Sequence, residues 1–463
     1  MRPGVARAEL GIVIRMTHTL KHIWFHAGQA AGIVAMLLVG ACIPSSDGVS
    51  APPAPTETAR ITVTSGVPTA LARDWDGDGI DDLLVGDSKG GSFPRTEAGD
   101  VYLIQGPVSS LELPAVTPAL VLHGQEAYRH EGTNLSSCDM DGDGVRDFII
   151  QADTSATGTE GIRAVSGTLR GEHDIDDVAF LTIEGPATLG QTMFRMDYDL
   201  DGADDLVLAC PMRSAIYVVR GPRSGEVHLP DDADAVISTA TGSFGSSIAP
   251  GDFNSDGVYD LAVVEPIENV LYVVPTGLMG NQDAAQIATA VIRAEDSNLW
   301  IRGVDAIRVA GKLDALLVQT RLLDSEQMGT LFLLEGPVQG QLDLVGGSCL
   351  TLTDAAVTYG VAATVGESTG NGIPLIALSS PATLHLPDSN LGGEVWLFDA
   401  AARGQYVLDA AGLSCGSAQI TGPATSVDLL GYSLQFAYTS RSDQQDLIVA
   451  GSGAVLVFSW PSP

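Results

Sequence analysis

Four nine-residue segments place carboxylates at alternating positions: 74–82 (DWDGDGIDD), 139–147 (DMDGDGVRD), 197–205 (DYDLDGADD) and 252–260 (DFNSDGVYD). All four fit D-x-[DN]-x-D-G-x-x-D. So many like charges in nine residues repel one another unless a cation sits among them. Oxygens at positions 1, 3, 5 and 9, with a backbone carbonyl from position 7, can wrap one hard divalent ion, and the Gly at position 6 permits the sharp turn. The spacing therefore predicts a calcium site in each. The first comprises Asp74, Asp76, Asp78, Ile80 and Asp82, and the second Asp139, Asp141, Asp143, Val145 and Asp147. The third comprises Asp197, Asp199, Asp201, Ala203 and Asp205, and the fourth Asp252, Asn254, Asp256, Val258 and Asp260. Helix-loop-helix calcium sites are excluded, because they need a bidentate Glu at position 12. Position 12 here is Val85, Ile150, Leu208 or Val263, inside apolar runs that read as strands.

The elements that must hold these loops repeat with them. A strand, often closed by Gly-Pro, recurs from Val101, Ile162, Ala215, Val270, Leu331, Val395 and Val455, seven copies in all. Worn acidic loops precede the last three copies. Ala306 to Asp314 keeps Gly311 and Asp314 but carries Arg308 and Lys312. Glu367 to Leu375 keeps Asn371 and Gly372, and Tyr438 to Asp446 keeps Asp446. Gly132, Gly190, Gly245, Gly360 and Gly431 each stand seven residues before a loop's first position, and Phe244 stands immediately before Gly245. High Gly and Pro counts, few aromatics and no long helical pattern agree with many short strands joined by turns.

This pattern resembles the FG-GAP repeat of integrin α-subunits and related bacterial proteins, on the strength of Phe244-Gly245, the four intact loops and the strands that follow. The resemblance covers roughly residues 60–463. It implies an all-β, seven-bladed β-propeller of four-stranded antiparallel blades, with the calcium loop joining the first two strands of a blade. Four calcium sites are expected in repeats one to four, the loops of repeats five to seven being degenerate. An open propeller would leave strand edges unpaired. The last repeat lacks a fourth strand, so Ile61 to Ser65, ahead of the first loop, is expected to close it.

Residues 1–41 read as a secretory signal, with Met16 an alternative start. An apolar run from Ala30 to Val39 follows Lys21 and ends in Gly40, Ala41 and Cys42. The ending resembles the lipobox of bacterial lipoproteins, which implies cleavage before Cys42 and acylation of its thiol. Residues 42–59 read as anchor and extended linker. The chain is then expected to be lipid-anchored in a bacterial envelope, at the outer membrane or cell surface, with no mature transmembrane helix. Cys138, Cys210, Cys349 and Cys415 allow three disulfide connectivities.

A formal charge of −34 excludes a nucleic-acid footprint. Gly86 to Gly90 matches G-x-S-x-G, but that nucleophile elbow needs a following helix, and none is expected here. The family geometry puts the longer loops on the face away from calcium. There Lys89, Arg95, Tyr128, Arg129, His130, Arg321 and His385 gather as a speculative face for an anionic, glycan or protein ligand. A non-enzymatic binding, adhesion or protein-interaction platform is the leading functional reading. A carbohydrate-active lyase or hydrolase with a site on the propeller axis is the alternative, and a structural subunit of an envelope complex is a third.

Overall fold

The computed structural model describes residues 36–39, 55–63, 68–92, 94–113, 118–153, 159–240, 242–296, 298–308, 314–322, 328–354, 363–367, 374–385, 390–399, 404–408, 418–421, 433–440, 444–451 and 454–460. The chain divides into Met1–Val34, outside the described residues, and Ala35–Pro463, which carries the sheets. Cys42, most of its linker and Cys415 also lie outside the described residues, as do Gly360, Gly431 and parts of the three worn loops.

The blade is clearest in the first repeat. Strands Thr69–Arg73, Asp82–Asp87, Asp100–Ile104 and Leu120–His123 form an antiparallel meander. A fifth strand, Gly171–Asp174 of the second repeat, then joins the outer edge in parallel. Repeats two to five are built the same way, each receiving its fifth strand from the repeat that follows. In the last repeat, Ser433–Ala437, Asp446–Gly451 and Ala454–Ser459 are completed by Thr56–Thr62, antiparallel to Ala454–Ser459. Leu111–Glu112 of the first repeat supplies the parallel fifth strand. The closing N-terminal strand thus begins ahead of the expected Ile61 to Ser65 and takes in Ile61 near its end.

The expectation of seven four-stranded antiparallel blades is corrected. Six blades follow one plan, and each has five strands in a mixed sheet. The sixth repeat builds a sheet of another kind. Its strands Ala363–Glu367, Pro374–His385, Asn390–Asp399 and Ala418–Thr421 receive Met36–Val39, which pairs antiparallel. The physical reason lies in the handover. Elsewhere a blade takes its parallel edge strand from the segment after the next repeat's third strand, whereas the outer edge of the sixth-repeat sheet is taken by Met36–Val39. Counting repeats in the sequence counts meanders and says nothing of this exchange.

The core lies between the sheets. The second strand is buried along its whole length in the first four blades and the last: Asp82–Asp87, Asp147–Ala152, Asp205–Cys210, Asp260–Glu265 and Asp446–Gly451. A strand covered on both faces by neighbouring sheets reads as an apolar run, which these are for the three residues after the leading Asp. One cluster joins Val207, Ile216 and Phe244 of the third repeat to Leu261, Val263 and Tyr272 of the fourth. Another joins Ile448, Val455 and Val457 of the last repeat to Leu83, Val85 and Tyr102 of the first, with Ile61 between them.

Candidate metal centres

Each acidic loop connects the first strand of its blade to the second, and its ninth-position carboxylate is the first residue of that second strand. Asp82, Asp147, Asp205 and Asp260 are at most 1% exposed. Positions 3 to 6 of the first two loops lie in solvent, while the second position is buried: Trp75, Met140, Tyr198 and Phe253. Trp75 donates its indole N–H to the Arg146 carbonyl at 3.0 Å, and the Tyr198 hydroxyl donates to Leu278 O at 3.0 Å. The loops are therefore pinned into neighbouring sheets by a residue that the metal pattern leaves unspecified.

The carboxylates are held by the turn they create. Asp74 accepts the amides of Gly77 and Gly79 at 2.6 and 3.0 Å, and Asp139 accepts those of Gly142 and Gly144 at 2.8 and 2.9 Å. Asp252 accepts the amides of Ser255 and Gly257 at 2.8 and 3.1 Å. The third-position side chain takes the fifth-position amide, and the fifth-position side chain takes the seventh, as in Asp141 with Asp143 and Asp143 with Val145. Position 4 needs a left-handed backbone: Gly77 and Gly142 adopt it, but so do Leu200 (φ 64°) and Ser255 (φ 71°). A non-glycine residue there costs about 1–2 kcal/mol.

These bonds bring the oxygens together. Ligand atoms of Asp74, Asp76 and Asp78 lie within 4.8 Å of one another, as do those of Asp139, Asp141 and Asp147, and of Asp197, Asp199 and Asp205. The donor set is all oxygen, which suits a hard cation. In the third loop, Asp197 Oδ1 is buried without a hydrogen-bond partner, an orphaned acceptor that a cation would satisfy. Burial, opposed by backbone amides and reinforced by Asp141, pushes the Asp147 carboxyl up to about 7. Burial likewise raises Asp205 and Asp260 to about 6, and Asp82 above its ordinary value. These clusters unite nine of the twenty expected ligand residues, three in each of the first three loops. Ile80, Val145, Ala203 and Val258 stand at the position that offers a carbonyl.

A raised carboxyl makes the folded chain bind more protons than the unfolded one between about pH 4 and 7, so metal-free stability falls as pH rises through that window. Calcium-stripped protein should therefore unfold at a higher temperature at pH 5 than at pH 7.5. The trend should reverse in saturating calcium, where protons compete with the metal. Asp147→Asn should flatten the calcium-free trend; an unchanged slope would mean that other buried acids carry it, such as Glu131, which burial also raises to about 7.

Several contributors escape the sequence pattern. Gly106 and Gly221, from the recurring Gly-Pro, donate their amides to Asp82 and Asp205 at 3.0 and 3.1 Å. A Cβ on Gly221 would meet the Asp204 carbonyl at 2.3 Å, so close approach requires glycine here. The preceding residue also reaches the loop: Gln105 to Asp76 at 3.0 Å, and Arg220 to Asp199 at 2.9 Å. The repeated Gly-Pro was the available signal. At position 8, Asp81 and Asp204 accept the first-position amides of Tyr438 and Asp139, in the preceding repeats, at 2.7 and 3.3 Å. In the worn seventh loop, Thr439 and Ser440 hydroxyls donate to Asp446 at 2.8 and 3.1 Å, supplying the buried carboxylate with bonds that need no metal.

The residues of the speculative ligand face separate into groups. Segments 95–97 and 128–130 are tied by Tyr128 N to Thr96 O and His130 N to Glu97 O, at 2.9 and 3.2 Å. Arg95, Arg129 and His130 all have carboxylates beside them: Asp100 at 4.0 Å, Glu126 and Glu131 at 3.0 and 3.2 Å, and Glu97 at 3.2 Å. Lys89 sits in the turn after Asp82–Asp87, within the G-x-S-x-G match, where the chain runs into a turn and then the strand Asp100–Ile104. Arg321 and His385 lie on strands of the fifth- and sixth-repeat sheets. Cys138 and Cys210 remain thiols, donating to the Met140 sulfur at 3.3 Å and to Ala187 O at 3.5 Å. Among the described residues no helix is long and apolar enough to cross a membrane.

Comparison with known families agrees with this geometry. Residues 197–263 match the FG-GAP-like repeat, and residues 244–287 match the FG-GAP repeat. Integrin alpha pat-2 of Caenorhabditis briggsae is 23% identical over 257 residues, half of this chain and 20% of that protein. Integrin alpha-11 of Homo sapiens is 27% identical over 163 residues, 31% of this chain and 13% of that protein. The match thus spans a fifth or less of either relative. A solved structure described as the Dos1 propeller aligns with a TM-score of 0.41 at 11% identity, covering 88% of this chain and 95% of that one. Residues 197–287 thus carry FG-GAP repeats, and the chain is similar over part of its length to integrin α-subunits.

Proposed function

We propose that this FG-GAP repeat chain is a non-enzymatic recognition platform of the cell envelope, braced by calcium in the loops of repeats one to four and tethered through a lipid on Cys42. The observation that carries the reading is the set of four acidic loops, built alike at the same end of successive blades. The residues that would hold the ions are the first-, third-, fifth- and ninth-position side chains from Asp74 to Asp260, with the carbonyls of Ile80, Val145, Ala203 and Val258. Calcium there would neutralise the buried carboxylates and lock the first two strands of each blade. The metal's part is structural.

With calcium holding one end, the loops at the other end are free to vary, which suits ligand recognition on a rigid scaffold. Tyr128 supports this placement: it is 57% exposed and stands at φ 63°, next to Arg129 and with His130 also left-handed at φ 53°. A large exposed aromatic held in a strained backbone is a reasonable contact for a glycan or a protein. Cleavage before Cys42 would remove Met36–Val39 and open the Ala418–Thr421 edge, a second surface for a partner strand.

The test uses bacteria expressing the full chain and probed with labelled glycan and protein libraries. Capture should require calcium and weaken at least fivefold in Tyr128→Ala, while Cys42→Ala should release the chain from the membrane fraction. Capture indifferent to both calcium and Tyr128, or none at all, would overturn the platform reading.

A further inference from the structure

The acidic loops of the first three repeats line a half-open cavity of about 530 Å³, with Arg73, Arg146, Asp74, Asp76, Asp139 and Asp204 among its walls. Two guanidiniums in one cavity are unusual in a chain with 23 basic residues against 57 acidic ones. A third, Arg195, stands beside them. Arg195 is committed to Asp204 at 2.7 Å, and Arg146 shares the same carboxylate at 3.7 Å. Arg73, at the end of the first strand, has no carboxylate within 4.0 Å among the described residues.

We propose that this cavity binds a small carboxylate anion between Arg73 and Arg146, and that it does so only when the flanking loops hold calcium. The inference rests on the calcium reading above. Guanidinium recognises a carboxylate through paired, charge-assisted hydrogen bonds, and Arg73 has that capacity unspent. Without metal, four carboxylates outweigh two guanidiniums in the lining, and an anion is repelled. A divalent ion in the first loop, at Asp74 and Asp76, and another in the second, at Asp139, add four positive charges beside the guanidiniums and remove much of that repulsion. Anion and calcium are then positively coupled, and each must strengthen the other's binding by the same factor. The face that the sequence marks as purely structural thereby acquires a ligand site that responds to calcium.

The experiment is calorimetric titration of D-galacturonate, and separately of sulfate, into the full chain stripped of metal on a chelating resin and then reloaded with calcium. A calcium titration on the same samples reports the loops independently. Galacturonate should bind the calcium-loaded chain, give no heat with the stripped chain, and raise calcium affinity when present. Arg73→Gln and Arg146→Gln should each weaken galacturonate at least tenfold while calcium binding without the anion is retained. Calcium binding with no galacturonate heat, or equal galacturonate binding by both variants, overturns the anion site and leaves the metal reading standing. Binding of sulfate alone overturns the carboxylate class. No calcium binding removes both.

Discussion

Stripping calcium from the intact protein should lower its unfolding midpoint by on the order of 10 °C. A ligand that binds only the folded state stabilises it by about 2.7 kcal/mol per site at a hundredfold excess over its Kd. Four such sites in a chain of this length correspond to that shift, given about 2.1 cal/mol/K of unfolding entropy per residue. The folded chain has the cages ready: Asp74, Asp139 and Asp252 each hold two backbone amides before any ion arrives. The unfolded chain has none, so binding energy becomes folding energy. Asp76→Ala and Asp141→Ala should each remove about a quarter of the shift, measured by scanning calorimetry with calcium and after stripping. An identical midpoint in both conditions would show the loops to be acidic turns without a structural metal.

The second large effect belongs to the joint between repeats. Phe244 is completely buried between the third and fourth blades, with its ring 6.0 Å from Tyr272 in an edge-on arrangement. It stands just before Gly245, whose left-handed φ of 92° turns the chain into the first strand of the next blade. Phe244→Ala should cost about 3–5 kcal/mol, because the rigid sheets on either side cannot close over the space. Tyr259→Ala, at a 40% exposed position of the fourth loop, serves as the control and should change stability little. Chemical denaturation with calcium present separates this effect from metal loss. A Phe244→Ala penalty no larger than that of Tyr259→Ala would mean that the two blades do not share a core.

Much of this was legible in the residues alone. The acidic loops are local chemistry: D-x-[DN]-x-D-G-x-x-D sets both the turn and the inward oxygens, so the loops stand where the spacing put them. The apolar runs after Asp82, Asp147, Asp205 and Asp260 announced strands buried on both faces, and the seven third-strand copies announced repeated meanders. The edge strands were silent. Gly171–Asp174, Gly225–His228, Gly280–Asp283 and Gly340–Asp343 are four-residue, largely polar segments with no apolar alternation, and they pair because a neighbouring blade offers an open edge. Their shared left-handed glycine was a repeat that hydrophobic periodicity does not weigh.

What the sequence determined by itself is therefore whatever a nine-residue turn or a single strand can encode: the ligand oxygens, the strand that follows them, and the repeat they mark. Only the tertiary structure decided how sheets exchange strands, why six blades share a plan that the sixth repeat does not follow, and which charges meet. Arg73, Arg146 and Arg195 come from three different repeats, and Asp204 reaches Arg146, Arg195 and the Asp139 amide together. No spacing along the chain encodes that meeting, because it arises from the lateral packing of neighbouring blades.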